Sequence, residues 1–171
     1  MFGQPQPVVR LSRPTDINNL RDLDIKCYDY PIQMEQWKTL VESSGQAGEA
    51  RCVLVEYQSA IGSNKPIGFG VWQYHDGDYL ILRIGTVKPY RRRGIGHLIV
   101  DTIVKDATKK GVKLIKITIP DVHCQPGDPD DVSAFLIAMG FKTTGLIYSD
   151  WKFMFGQLRD GYEFALKIGE E

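Results

Sequence analysis

Residues 86–112 read TVKPYRRRGIGHLIVDTIVKDATKKGV, and two patterns meet inside them. Up to Val87 the chain alternates as a strand does. From Ile95 the apolar positions Ile95, Leu98, Ile99, Ile103 and Ala107 recur at helical spacing, with Asp101, Lys105, Asp106 and Lys109 between them, until Gly111 ends the run. This predicts a helix of about four turns opening on Gly94-Ile95-Gly96, directly behind Arg91, Arg92 and Arg93. The first N–H groups of a helix have no internal acceptor, and its dipole is positive at that end. Glycine lets a phosphate approach the backbone, and arginine can support it from the side. The junction therefore reads as an anion site, and a pyrophosphate suits it best. Tight helix packing explains a Gly-x-Gly helix start equally well, and both readings stand at this point. A dinucleotide-binding turn is disfavoured, because the third glycine is missing and the strands before the junction form hairpins. A P-loop is excluded by the absence of Gly-Lys-Ser/Thr.

Working outward, "RCVLVEY", "PIGFGVWQYH" and "YLILRIGTV" are three strand-like runs, the last two joined by "DGD". Asp76-Gly77 between alternating apolar runs is a hairpin signal, so an antiparallel meander precedes the junction. Before it come a short strand, "VVRLS", and two helices. Thr15 or Asp16 is expected to cap the first, with Ile17, Leu20 and Leu23 as its apolar stripe. Pro31 is expected in the first turn of the second, with Ile32, Met34, Trp37, Leu40 and Val41 as its apolar content. After the junction helix, "VKLIKITI" alternates as a strand. A helix "VSAFLIAMGF" follows, with Asp130 or Asp131 as cap and Gly140 as stop, and then strands around "TTGLIYS" and "GYEFALKI". The order is strand, two helices, three strands, helix, strand, helix, two strands, an α+β layout on one mixed sheet.

Composition narrows the partners. The chain has 171 residues, enough for one domain with a hydrophobic core, and no second domain is required. Lys plus Arg and Asp plus Glu number 21 each, so no global field favours nucleic acid, and the arginines alone support that reading. Cys27, Cys52 and Cys124 are few and odd in number, which fits reduced thiols inside a cell. No zinc spacing is present, and no metal is expected. "MFGQPQPVV" has neither a basic start nor an apolar run, and no segment approaches the roughly 20 apolar residues of a membrane span. A cytoplasmic protein with neither membrane nor nucleic-acid partner is expected.

Arg91-Arg92-Arg93-Gly94-Ile95-Gly96 resembles the Arg/Gln-x-x-Gly-x-Gly/Ala motif with which the GNAT N-acetyltransferases hold acetyl-coenzyme A. "RPTDINNLRDLD" resembles that family's opening strand and helix, and "AMGF" its Leu-Gly-Phe near the end. The resemblance covers most of the chain in element order. It implies a single GNAT-like domain over residues 8–169, with a mixed sheet of about six to seven strands and about four helices. It also implies that acetyl-coenzyme A is the co-substrate. The backbone N–H groups from Arg92 through Arg93, Gly94, Ile95 and Gly96 to His97 would hold the pyrophosphate, with at most two of Arg91, Arg92 and Arg93 adding side-chain contacts. Ile84, Gly85, Thr86 and Val87 would pair with the pantetheine arm, and a backbone N–H there would polarise the thioester carbonyl.

The sequence also departs from the family. "VKPYRRRG" is one residue shorter than the usual approach. Leu136 stands where relatives place a tyrosine that protonates the departing thiolate, so Leu136→Tyr is expected to leave transfer unchanged or to raise it. Thr118 stands where N-terminal acetyltransferases carry a glutamate. Coenzyme A thiolate can leave unaided or through water, so transfer survives the missing acid. Tyr148, on the penultimate connection, is the candidate to replace that acid. Asp121, His123 and Asp150 are the candidates to take the amine proton, and Tyr28, Tyr30 and Trp151 to line an acceptor pocket. His123-Cys124 is read as incidental, since neighbours on an extended chain face opposite ways. The function expected is direct acetyl transfer to an amine, whether a small amine, an amino acid or a protein N-terminus. The alternative is a non-catalytic acyl-coenzyme A binding domain with a regulatory or interaction role. A homodimer is compatible with either.

Overall fold

The computed structural model describes residues 6–28, 31–44, 50–120, 124, 127, 131–147 and 161–169. The elements are β1 (Pro7–Leu11), α1 (Ile17–Cys27), α2 (Met34–Ser43), β2 (Ala50–Tyr57), β3 (Lys65–His75), β4 (Asp78–Thr86), α3 (Ile95–Lys110), β5 (Leu114–Pro120), α4 (Val132–Ala138), β6 (Lys142–Ile147) and β7 (Gly161–Lys167). The strands form one open mixed sheet in the order β1-β2-β3-β4-β5-β7-β6. Strand β4 pairs with β5 in parallel, as a crossover through α3 requires, whereas β1–β2, β2–β3, β5–β7 and β6–β7 are antiparallel.

Local chemistry sets the boundaries. Asp76 (φ 51°) and Gly77 (φ 91°) both take left-handed backbone, as a two-residue hairpin with the right twist demands. Gly111 (φ 71°) and Gly140 (φ 95°) end α3 and α4 in the same way. Asp131 caps α4 by accepting from Ser133 N at 2.9 Å. Two expectations are corrected. Helix α2 begins at Met34, so Pro31 lies ahead of it and Ile32 is buried before the first turn. Asp16 precedes α1, yet its carboxylate turns back to Arg13 N (2.7 Å) instead of capping the helix.

The chain divides into two compact units, Met1–Gln73 with Arg83–Ile103, and Tyr74–Leu82 with Val104–Glu171. In the first, Trp37 and Phe69 meet edge to face at 5.9 Å, in a core shared with Leu20, Leu54, Ile67, Ile95 and Ile99. Helix α3 approaches β3 closely because two strand positions are glycine. A Cβ at Gly70 would lie 2.7 Å from Ile99 Cγ2, and one at Gly68 would lie 3.0 Å from Ile95 Cγ2. The buried stripe of α3 is Ile95, Ile99, Val100, Ile103 and Ala107; Leu98, expected in it, is only half-buried. Arg10 links three elements of this unit. It donates to both oxygens of Asp16 (2.7 and 2.8 Å) and to Glu56 Oε1 (2.8 Å), and the bonds to Asp16 hold that carboxyl below its ordinary range.

The second unit packs Ile81, Val112, Ile115, Ile117, Leu136, Phe141 and Phe164, and Tyr79 donates to Asp106 Oδ2 at 2.7 Å. Leu136 is fully buried. For Leu136→Tyr this adds a cost in stability to the expectation about transfer. A larger ring forced into a filled leucine site should cost about 1–3 kcal/mol of stability by overpacking, with its hydroxyl enclosed as well. Urea unfolding of the variant against wild type checks this, and an unchanged midpoint would show that the site has room.

Candidate functional site

The site is built where β4 ends and α3 begins, entirely within the first unit. Along β4 burial alternates, with Tyr79, Ile81, Arg83 and Gly85 inward and Leu80, Leu82, Ile84 and Thr86 partly exposed. Backbone direction alternates as well. Val87 N donates to Ile67 O on β3 (3.0 Å), so Val87 and Gly85 turn their peptide groups toward β3, and Ile84 and Thr86 turn theirs away. Both carbonyls on the outward side accept from side chains. Tyr28 Oη donates to Ile84 O at 2.6 Å, and Arg91 Nε donates to Thr86 O at 3.0 Å. The N–H groups of Ile84 and Thr86 share that side.

Beyond β4 a 3₁₀ turn at Lys88–Tyr90 leads into the arginines. Arg92 (φ 62°) and Gly94 (φ 80°) are both left-handed. Such backbone is cheap for glycine but costs an arginine about 1–2 kcal/mol, and strain of this kind tends to concentrate at functional sites. Leu98 N donates to Gly94 O (3.0 Å), the first hydrogen bond of α3. The N–H groups of Ile95, Gly96 and His97 therefore have no acceptor within the helix, and they lie at its positive end. An anion placed there meets donors that the fold has already oriented.

The three arginines divide their work. Arg91 turns back to Thr86 O on the outward side of β4. Arg92 is exposed, and Arg93, also exposed, lies over the Tyr90 ring at 5.3 Å, with Lys65 over the same ring at 5.2 Å and Tyr57 beside it at 5.4 Å. Behind the end of β4, a Cβ on Gly85 would lie 2.4 Å from Phe69 Cε1 and 3.0 Å from Cys27 Sγ. Glycine at that position is what lets the end of α1 reach β4. Burial pushes the Cys27 thiol up, against the opposing pull of Arg91.

The fold thus brings together Tyr28, Ile84, Gly85, Thr86, Val87, Arg91, Arg92, Arg93, Gly94, Ile95, Gly96 and His97. Val87 and Gly85 differ from Ile84 and Thr86, because their peptide groups face β3 and are not turned outward to pair with a bound arm. Tyr30, Asp121, His123, Tyr148, Asp150 and Trp151 lie outside the described residues. Two features escaped the reading of the sequence. One is the buried pair Asp24 and Arg83, with Arg83 Nε 3.5 Å from Asp24 Oδ1. The other is the register of β5 on β7, which sets Glu163 directly opposite Thr118. A carboxylate therefore stands beside Thr118 from the neighbouring strand, its Oε1 accepting from Thr144 Oγ1 at 2.8 Å. Among the described residues no cluster of three or more His, Cys, Asp or Glu is placed to hold a metal, and no helix is long and apolar enough to cross a membrane.

The family model described as Acetyltransferase (GNAT) family matches residues 17–136, so the chain belongs to that family. No curated protein sequence matches significantly. Solved structures with the same fold include NAA60 of Arabidopsis thaliana in complex with acetyl-CoA, at TM-score 0.76 and 18% identity over 95% of this chain and 99% of that one. A ribosomal-protein alanine N-acetyltransferase from Escherichia coli superposes at TM-score 0.72 and 14% identity, over 97% and 96% of the two chains. The spermidine/spermine N-acetyltransferase of Vibrio cholerae does so at 0.66 and 14%, over 95% and 92%.

Proposed function

We propose that the chain is an acetyl-coenzyme A dependent N-acetyltransferase that moves an acetyl group directly to an amine, its domain spanning residues 8–169. The observation that carries this reading is the start of α3, where left-handed Arg92 and Gly94 lead into a helix whose first hydrogen bond is Leu98 N to Gly94 O, preceded by a strand end on which Ile84 and Thr86 turn their N–H groups away from β3. The residues fit the co-substrate. The N–H groups of Ile95, Gly96 and His97 suit its pyrophosphate, and those of Ile84 and Thr86 suit its amide-bearing arm. Acetyl-coenzyme A, when bound, supplies an activated acetyl group. The chain supplies donors whose orientation is fixed beforehand, and such donors best stabilise charge that develops on an oxygen. The amine must be neutral to attack, and a carboxylate, histidine or water must take its proton.

The acceptor is an amine of a small molecule, an amino acid or a protein N-terminus. The range among structures of the same fold, from a ribosomal-protein alanine to spermidine, supports keeping all three classes. A second reading, a non-catalytic acyl-coenzyme A binding domain, is favoured by one observation: the position where relatives carry a phenol is held by a fully buried leucine, Leu136.

Competition binding tests the ligand class. Oligonucleotides, single- or double-stranded, are expected to bind weakly at physiological salt and to be displaced fully by coenzyme A. Tight oligonucleotide binding that ignores coenzyme A would overturn the assignment and favour a nucleic-acid partner.

A further inference from the structure

Asp24 and Arg83 are almost wholly buried, at 0% and 3% exposure. An ion pair taken out of water rarely gains more than a well-packed apolar pair of the same volume, so stability is a weak reason for its presence. Its contacts suggest another reason. Asp24 Oδ2 accepts from Ile32 N at 2.6 Å, and the Arg83 guanidinium lies 4.1 Å over the Tyr28 ring. Tyr28 is held in turn at its far end, its hydroxyl donating to Ile84 O (2.6 Å). The chain leaves α1 at Tyr28 and is held again at Ile32, before α2, so one buried pair fixes both points. Neither an aliphatic pair nor a lysine at position 83 could do this. The first has no acceptor for Ile32 N–H, and the second has no planar face for Tyr28.

We propose that Asp24 and Arg83 are positioning residues that set Tyr28 against the outward edge of β4 and thereby set the affinity for the amine acceptor. This rests on the acetyltransferase reading, which assigns the acyl group to that edge. The Tyr28 ring then borders the space through which an amine must arrive, while the N–H groups at the start of α3 belong to a different part of the same unit. Disturbing the pair should weaken the amine more than the co-substrate.

The test compares wild type with Asp24→Leu/Arg83→Met, which removes both charges at similar volume, and with Arg83→Lys, which keeps the charge and loses the plane. The probe is whichever amine, among peptide N-termini, polyamines and amino acids, gives the fastest coenzyme A release with wild type. For the folded double variant, the amine KM should rise about tenfold or more, while kcat and the acetyl-coenzyme A Kd stay within about threefold. Arg83→Lys should fall between the two. Amide exchange at Ile32 should quicken about tenfold in the double variant, with Ile99 unchanged as a control for global stability. An unchanged KM and unchanged Ile32 exchange in a folded double variant would overturn the proposal. A wild type that binds no acetyl-coenzyme A would overturn the functional reading instead, and Ile32 exchange would then decide the clamp by itself.

Discussion

Gly96→Val is expected to weaken acetyl-coenzyme A binding by about a hundredfold, or ~2.7 kcal/mol, and to leave a folded protein. Gly96 lies in the first turn of α3, between Ile95 and His97, whose N–H groups with its own find no acceptor inside the helix. A branched side chain at that point would stand over the N–H groups and hold a phosphate away from them. The fold should tolerate the change, because valine is a better helix former than glycine and the position is only half-buried. Calorimetric titration of both forms, with thermal unfolding as control, gives the answer. Affinity equal to wild type would place the pyrophosphate elsewhere.

Arg10→Met should lower stability at pH 7 by about 2–4 kcal/mol, since it leaves the carboxylates of Asp16 and Glu56 buried without the partner that now compensates them. The lower part of that range is favoured, because the Arg10 side chain keeps 26% of its exposure while Asp16 keeps 7% and Glu56 10%. The pH dependence follows from the direction of the Asp16 shift. Its carboxyl is held below the ordinary value in the folded state, chiefly by the hydrogen bonds from Arg10, and against the opposing cost of burial. A depressed folded value means that the contribution is fully present above the unfolded pKa of about 3.9 and is lost as pH falls through the folded value. The gap between wild type and Arg10→Met should therefore narrow as acid is added, and be largest near neutrality. Urea unfolding at pH 7 and again below about pH 4 measures both gaps. A gap that did not change with pH would mean that Arg10 acts through packing and not through Asp16.

The element order was legible in the sequence because its punctuation is local. Asp76-Gly77 and Gly111 demand backbone that few other residues adopt, and both sit where the chain turns. The start of α3 was legible for the same reason, since Gly94 takes left-handed backbone where the helix begins. What the sequence hides is set by which of several possible partners the folded chain brings to a group. Asp16 has the chemistry of a helix cap, but Arg10, six residues earlier, and Arg13 N claim its carboxylate. Glu163 gains its place beside Thr118 only through the register of β5 on β7. For Asp24 and Arg83 there was a trace. Asp24 follows Leu20 and Leu23 on the buried stripe of α1, and Arg83 shares the inward face of β4 with Tyr79 and Ile81. Opposite charges on two buried faces are costly apart, which is a reason to suspect that they meet.

The central claim is catalysis, and coenzyme A release across a panel of amines tests it most directly. Wild type should release free thiol from acetyl-coenzyme A with at least one amine among peptide N-termini, polyamines and amino acids, in amounts equal to the acetylated amine formed. Release should stop when the amine is omitted and should fall sharply in Gly96→Val. If acetyl-coenzyme A saturates the protein in calorimetry and yet no amine releases thiol above the protein-free control, the chain is a binder of acyl-coenzyme A and the claim of catalysis is contradicted.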